Sequence, residues 1–455
     1  MPHENQTEIT FVVSEVARLS AASHSPETYA KMNLSEVLAT LPDPYGRGSL
    51  PCGREALNRL YLLSQRACQK SSYHGRIDPN EVFEYLKNII SERFIGEGKP
   101  IDQRQADRAV SSAIKQAASR MSTTKYFIPC HIGNKTSPKK FKIGQVEFHL
   151  SKNFLKKIEK EIAEYNHLEK NEFRKNILDD AIKYYQSFDY VAEISIKDCS
   201  ENNSRMLAER HVQLALDSIH VGLRSYKSKY IRMLGPNLFV DRRGEIVQKE
   251  DGKIDVSGYV SWKTNTLPDN WWSSVSSNHM KEFYDLVGTA ITEALHSHSS
   301  SRPLAGRLTD ALAWYGEATR DNNYASQTVK YVTAMERLLI TSSKEGLEVS
   351  SIFRNRGAAL VSFLSNEPYS DLYENFKKVY DVRSSIVHGS ESPTKSFYNI
   401  NGLQPDELAA RVIIAFAFFC KEEGLKAENV SDKIIEKSFD DLEALAKSGS
   451  KANHL

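Results

Sequence analysis

Residues 380–389 read Tyr-Asp-Val-Arg-Ser-Ser-Ile-Val-His-Gly, so a permanent cation, Arg383, stands five residues ahead of the imidazole of His388. A planar guanidinium grips two oxygens of a phosphodiester at once. An imidazole, titrating near about 6.5 in water, can take and return protons at neutral pH. Together they suit RNA cleavage through the ribose 2′-hydroxyl. His388 would take the hydroxyl proton or give one to the leaving 5′-oxygen, and Arg383 would stabilise the charge developing on the phosphate. That chemistry calls for no metal and no cofactor.

The element that must position them is a helix. Leu372, Phe376, Val379 and Tyr380 recur at helical spacing ahead of the motif, and Gly389 is placed to act as the residue that ends the turn. At about 100° per residue, Arg383 and His388 project roughly 140° apart, so they do not share a face. Either the helix is distorted, or each residue meets partners from another segment or another subunit. Ser384 lies four residues before His388 and does share its face, which makes it the candidate for orienting the ring. Tyr380 and Asp381 flank the motif, and Tyr380 suits packing better than base stacking. Lys377 and Lys378, two turns upstream, could track RNA, although a solvated face is the simpler use. The plain alternative for the whole motif is a surface cation followed by a helix cap.

Composition gives the motif no help from a global field. The net charge is +2, so any RNA site must be local. With 26% charged and 40% hydrophobic residues over 455, the chain is ordinary globular material, long enough for two or three cores. The five cysteines show no paired short spacing, which fits a reducing cytosol rather than a disulfide framework. Cys130 and His131 are adjacent but lack a second ligand pair nearby, and His296 and His298 sit in a Ser-rich run that reads as a linker. Thr10–Val13 is too short for a leader's apolar region, and Val412–Cys420 is half the length of a membrane span. A cytoplasmic location without membrane contact is expected.

Along the chain, residues 1–125 read as an N-terminal helical region. Glu55–Cys68 carries an apolar face, Asp78-Pro79 opens a second helix, and Arg108–Met121 makes a third, with Leu41–Gly48 as a turn-rich connector. Residues 126–265 read as a mixed α/β module with a small antiparallel sheet. Its strands are Tyr126–Ile132, Phe141–Leu150, Tyr190–Ile196, Phe239–Ile246 and Val256–Trp262, and its helix is Met206–Leu223. Lys139 and Lys142 could touch phosphates, but a solvated hairpin explains them as well. Residues 266–303 form a connecting helix and Ser-rich linker, and 304–455 form a bundle. The bundle helices lie near 304–320, 324–342, 353–365, 369–388 and 405–424, with 430–447 appended. The fold class is therefore mainly α.

About 140 residues, from Leu304 to roughly Leu445, resemble the HEPN superfamily, in particular its Apea-like, abortive-infection branch. The likeness rests on Arg383-Ser-Ser-Ile-Val-His-Gly389, on Trp314-Tyr-Gly-Glu-Ala318, on Val329–Ile340 with its Ala-Met-Glu336-Arg-Leu-Leu run, and on Arg356-Gly-Ala-Ala-Leu-Val361. Met335 stands where the family commonly has Leu, and Ser384 where active members often carry Asn, Asp or His. The resemblance implies a helical bundle in which two protomers bring their motif helices to one cleft. It thus implies a homodimer, with RNA as substrate and a protein partner that activates or inhibits. It also implies a metal-independent endoribonuclease that restricts growth or phage infection, with Arg383 and His388 catalytic. The alternative is a non-catalytic HEPN module binding RNA, nucleotide or a protein within a defence assembly. Glu336 corresponds to the family's recurrent helix glutamate, which would pair with the motif Arg; otherwise it bridges, exposed, to a neighbouring helix. Arg356 is a core-edge ion-pair partner or, less simply, a site residue.

Overall fold

The computed structural model describes residues 4–23, 39–233, 240–262, 265–277, 279–296, 303–341, 349–365, 367–395, 402–425 and 430–448. The chain divides into two compact units, one of residues 1–124 with 195–207 and one of 125–194 with 208–455. Of the region taken from sequence as an α/β module, residues 126–194 and 208–265 fall in one unit with the connecting helix and the bundle, whereas 195–207 belong to the other. The Ser-rich run from 297 to 302 lies outside the described residues.

The first unit is built on helices α1 (Glu4–Ser23), α2 (Arg54–Lys70), α3 (Pro79–Ile90) and α4 (Gln103–Ala118). α3 begins where a local signal dictates. The Asp78 carboxylate accepts the Asn80 N–H, and Pro79 occupies the first turn, where no N–H is needed. α4 begins likewise at Asp102, whose carboxylate accepts the Gln105 N–H at 2.7 Å. A π-helical turn, Ser91–Gly96, continues α3. The 41–48 connector is in fact a hairpin of β1 (Thr40–Pro42) and β2 (Ser49–Pro51), turned by Gly46 and Gly48 at positive φ. Leu60, Leu63, Val82, Leu86 and the alanines of α4 fill the core. Those alanines let the helix approach its neighbours closely.

Mostly within the second unit, a five-stranded sheet runs in the order β4 (Lys140–Ile143), β5 (Val146–Leu150), β6 (Tyr190–Cys199), β3 (Ser122–His131) and β7 (Arg232–Met233). The stretch expected as one strand over 141–150 is two, folded back at Gly144-Gln145 with Gly144 at φ +56°. A two-residue hairpin needs that conformation, and glycine adopts it freely. Between β5 and β6 the chain forms α5 (Ser151–Lys157), α6 (Glu159–Leu168) and α7 (Glu172–Gln186). After α8 (Glu201–Leu223) and the short α9 (Ser225–Ser228), the strands β8 (Val240–Gln248) and β9 (Ile254–Trp262) pair with each other and, among the described residues, with no other strand. That ribbon lies outside the five-stranded sheet and leaves Ile246, Ile254 and Val256 exposed.

A short α10 (Trp271–Val275) leads to α11 (His279–His296), which packs on α12 (Pro303–Arg320) and α16 (Pro405–Glu423). Gly288 of α11 meets the Gly144 turn so closely that a Cβ built on it would lie 2.4 Å from the Gly144 Cα. The bundle is completed by α13 (Tyr324–Leu339), α14 (Val349–Leu364), α15 (Tyr369–Val387) and α17 (Asp432–Lys447). α16 is apolar nearly all round, and its 412–420 segment is buried apart from the half-buried Ile414, the environment such a helix requires. The protein is mainly α with a mixed α/β portion. No described helix is long and apolar enough to cross a membrane.

Candidate functional site

α15 is held in the bundle by Leu372, Phe376 and Val379, all fully buried. The Phe376 ring lies over Gly357 of α14, where a Cβ would meet it at 2.5 Å, which explains the glycine after Arg356. Phe353 packs edge-on against Phe376 and, 5.0 Å between centroids, against Tyr380. Tyr380 is therefore a packing residue. These contacts fix the rotation of the helix and with it the directions of Arg383 and His388.

Arg383 points toward α13, where its Nη2 donates to Glu336 Oε2 at 3.3 Å. Both side chains are about four-fifths covered, at 22% and 18% exposure. Burial pushes the Glu336 carboxyl above its ordinary pKa, and the guanidinium pulls it partly back. The Arg383 guanidinium also lies 5.8 Å from the Tyr380 ring centroid. Its Nε is shielded from solvent and has no hydrogen-bond partner among the described residues. Of the two readings of Glu336, the pairing with the motif arginine is the one the fold adopts.

His388 caps the helix. Its N–H donates to the Ser384 carbonyl at 2.9 Å, and Gly389, at φ +79°, donates to the Ile386 carbonyl at 3.3 Å. Only glycine takes that conformation without strain, so the chain turns away there and leaves the His388 ring exposed. No hydrogen bond joins the ring to Ser384 Oγ or to Arg383 among the described residues. Ser384, expected to orient the ring, anchors the histidine through its backbone instead. The helix stays regular through Val387, so the two motif side chains keep different faces.

Lys377 and Lys378 are half-buried and make no ion pair among the described residues. Arg356 is a core-edge residue: it is buried, donates to the Leu339 carbonyl at 2.8 Å and lies over the Phe439 ring at 5.0 Å. Asp381 pairs with Arg354 at 3.1 Å.

Two further polar clusters escaped the sequence reading. Glu147 and His149 alternate onto one face of β5, and Glu193 lies opposite Glu147 in the register of β6. His149 Nε2 is 3.1 Å and 3.3 Å from the two carboxylates. By donor type this set could hold a metal ion. However, Lys140 pairs with Glu147, and both Lys125 and Lys157 pair with Glu193, so the carboxylates are already neutralised. The alternation Glu-x-His was the visible signal; the cross-strand partner was not. The second cluster joins α8 to α12. Asp217 accepts from Arg320 at 2.6 Å, Arg320 also contacts His220 Nε2 at 3.2 Å, and His220 Nδ1 meets Ser228 Oγ at 2.9 Å. Asp217 and His220 are sealed from solvent, which makes this cluster a structural tie.

Comparison of the chain with protein-family models, with curated proteins and with solved structures finds no match in any of the three.

Proposed function

We propose that the protein is a metal-independent endoribonuclease of HEPN type, acting through Arg383 and His388 as a growth-restricting or antiphage effector. The observation that carries the reading is the local architecture of the motif. A packed helix ends at an exposed histidine, and one turn earlier an arginine is held in place by a half-buried glutamate. Such an anchored guanidinium is pre-oriented for a phosphate, and an exposed imidazole can reach the 2′-hydroxyl or the 5′-oxygen. Because the two project from different faces of α15, the reading pairs Arg383 of one protomer with His388 of a second. The defence role rests on the family resemblance of the motif and its neighbouring helices.

One observation favours a second reading, a non-catalytic module that binds RNA, nucleotide or a protein. Arg383 is already engaged by Glu336, and no side chain among the described residues orients the His388 ring. Sequencing the ends of total cellular RNA after incubation with purified protein separates the two. The nuclease reading expects new 2′,3′-cyclic phosphate ends that persist in EDTA. Binding of RNA without any new ends would support the second reading and sink the first.

A further inference from the structure

The N-terminal unit carries a basic groove that the motif chemistry does not use. It has a volume of about 790 Å³ and is lined by Arg93, Arg104, Arg108, Ser111, Ser112 and Lys115, together with Gln103 and with Asp107 between the first two α4 cations. On α4, positions 104, 108, 111 and 115 fall within roughly 60° of one another, so the cations and one hydroxyl form a single stripe. That stripe runs about 16 Å along the helix axis at roughly 1.5 Å per residue. The opposite face is Ala106, Ala109, Val110, Ala113 and Ala117, all buried, so packing fixes which way the stripe looks. Arg93 enters from the π-helical turn after α3.

An exposed helix with this many cations ordinarily answers them with acids at four-residue spacing. Here none of the four cations makes an ion pair among the described residues. The one acid in the lining, Asp107, accepts at Oδ1 from the amides of Asn5 at 2.7 Å and Gln103 at 2.8 Å, which hold it without cancelling its charge. Glu97, close enough to feel Arg93, is tied to Lys99. The groove therefore presents four cations against the single carboxylate of Asp107, with two hydroxyl donors and no aromatic side chain. Guanidinium forks and hydroxyls suit phosphate oxygens, and without a stacking ring there is nothing to hold a base.

We propose that this groove binds the sugar-phosphate backbone of RNA without regard to sequence, as a substrate-holding site in the N-terminal unit. The choice of RNA among polyanions rests on the ribonuclease reading; the anion site itself rests on the geometry. Such contacts release counterions, so affinity should fall steeply with salt, with a slope of about −0.7 per phosphate contact on a single strand.

The test uses the full chain carrying His388→Ala, so that bound RNA stays intact, and a fluorescent single-stranded RNA followed by anisotropy between 50 and 200 mM salt. Adding Arg104→Ala, Arg108→Ala and Lys115→Ala together should weaken binding by about tenfold or more and flatten the salt slope by about 2. All three side chains are exposed, and circular dichroism should show the helix content unchanged. Unlabelled polyphosphate should compete with the RNA, whereas polyglutamate of equal length should compete poorly. Unchanged affinity and slope in the triple variant would overturn the proposal, as would equal competition by polyglutamate. Groove-dependent binding with no cleavage by the wild-type chain would sink only the nuclease reading. Cleavage and binding that ignore the triple substitution would sink only the groove.

Discussion

Arg383 differs from a free surface cation in having a fixed partner, Glu336, on the adjacent helix and a ring, Tyr380, beneath it. That setting makes the geometry of the guanidinium matter as well as its charge. Arg383→Lys should therefore lose cleavage about as fully as Arg383→Ala, roughly 10²–10³-fold in kcat, because an ammonium cannot engage a carboxylate and a phosphate in one plane. Glu336 acts through Arg383 as a positioning residue. Glu336→Ala should lower kcat with little change in KM, and Glu336→Gln, which keeps an acceptor oxygen, should recover part of the loss. A substitution set in which Lys serves as well as Arg would remove the planar grip from the account. Steady-state kinetics on one defined RNA reads all four variants.

At the scale of elements, the buried tie between α8 and α12 sets a pH signature. Burial pushes the Asp217 carboxyl up to about 6 against the pull of Arg320, and burial with Arg320 holds His220 well below its ordinary range. Between about pH 4 and 6 the folded state keeps a proton on Asp217 that the unfolded chain has released, so this group loses stability as pH rises. His220 does the reverse: the unfolded chain takes up its proton below about 6.5, so stability is lost as pH falls. The two slopes oppose each other. Asp217→Asn should unmask the histidine, making the unfolding free energy from urea titration drop more steeply from pH 6.5 to pH 5 than in wild type, by up to about 1.4 kcal/mol per pH unit. Parallel profiles for the two proteins would contradict this. How far such elements were legible depended on how local their signals were. The start of α3 was readable because Asp78 caps its own neighbour, and the bundle helices because each buries an apolar stripe. The Gly144 turn left a trace that went unread: the apolar positions run 141 and 143, then 146, 148 and 150, a change of parity no single strand would show. α6 and α7 left almost none, since neither buries a residue and helical periodicity comes from burial. At the site, the Arg-to-His spacing was plain in the sequence. The partnership of Glu336 depends on two residues 47 apart in the chain being brought face to face by their helices.

For the whole molecule, a helix that sends Arg383 and His388 to different faces makes a site easier to complete with a second chain than within one. Light scattering should give a particle of twice 51.5 kDa at micromolar concentration, and a monomer would count against a shared cleft. Mixing after subunit exchange offers a sharper check. Arg383→Ala and His388→Ala proteins should each be inactive alone, while their mixture should recover about a quarter of wild-type activity. Half the dimers would be mixed, and each would hold one intact Arg–His pair across its two-fold. No recovery would place any Arg–His cooperation inside one chain. The central claim, that His388 moves a proton in RNA cleavage, is tested most directly by single-turnover rates for wild type and His388→Ala on the same RNA in excess EDTA. The account predicts cleavage by wild type and a loss of about 10²–10⁴-fold in the variant, with its melting temperature unchanged. Equal rates for the two proteins, or a wild-type rate abolished by EDTA, would contradict it.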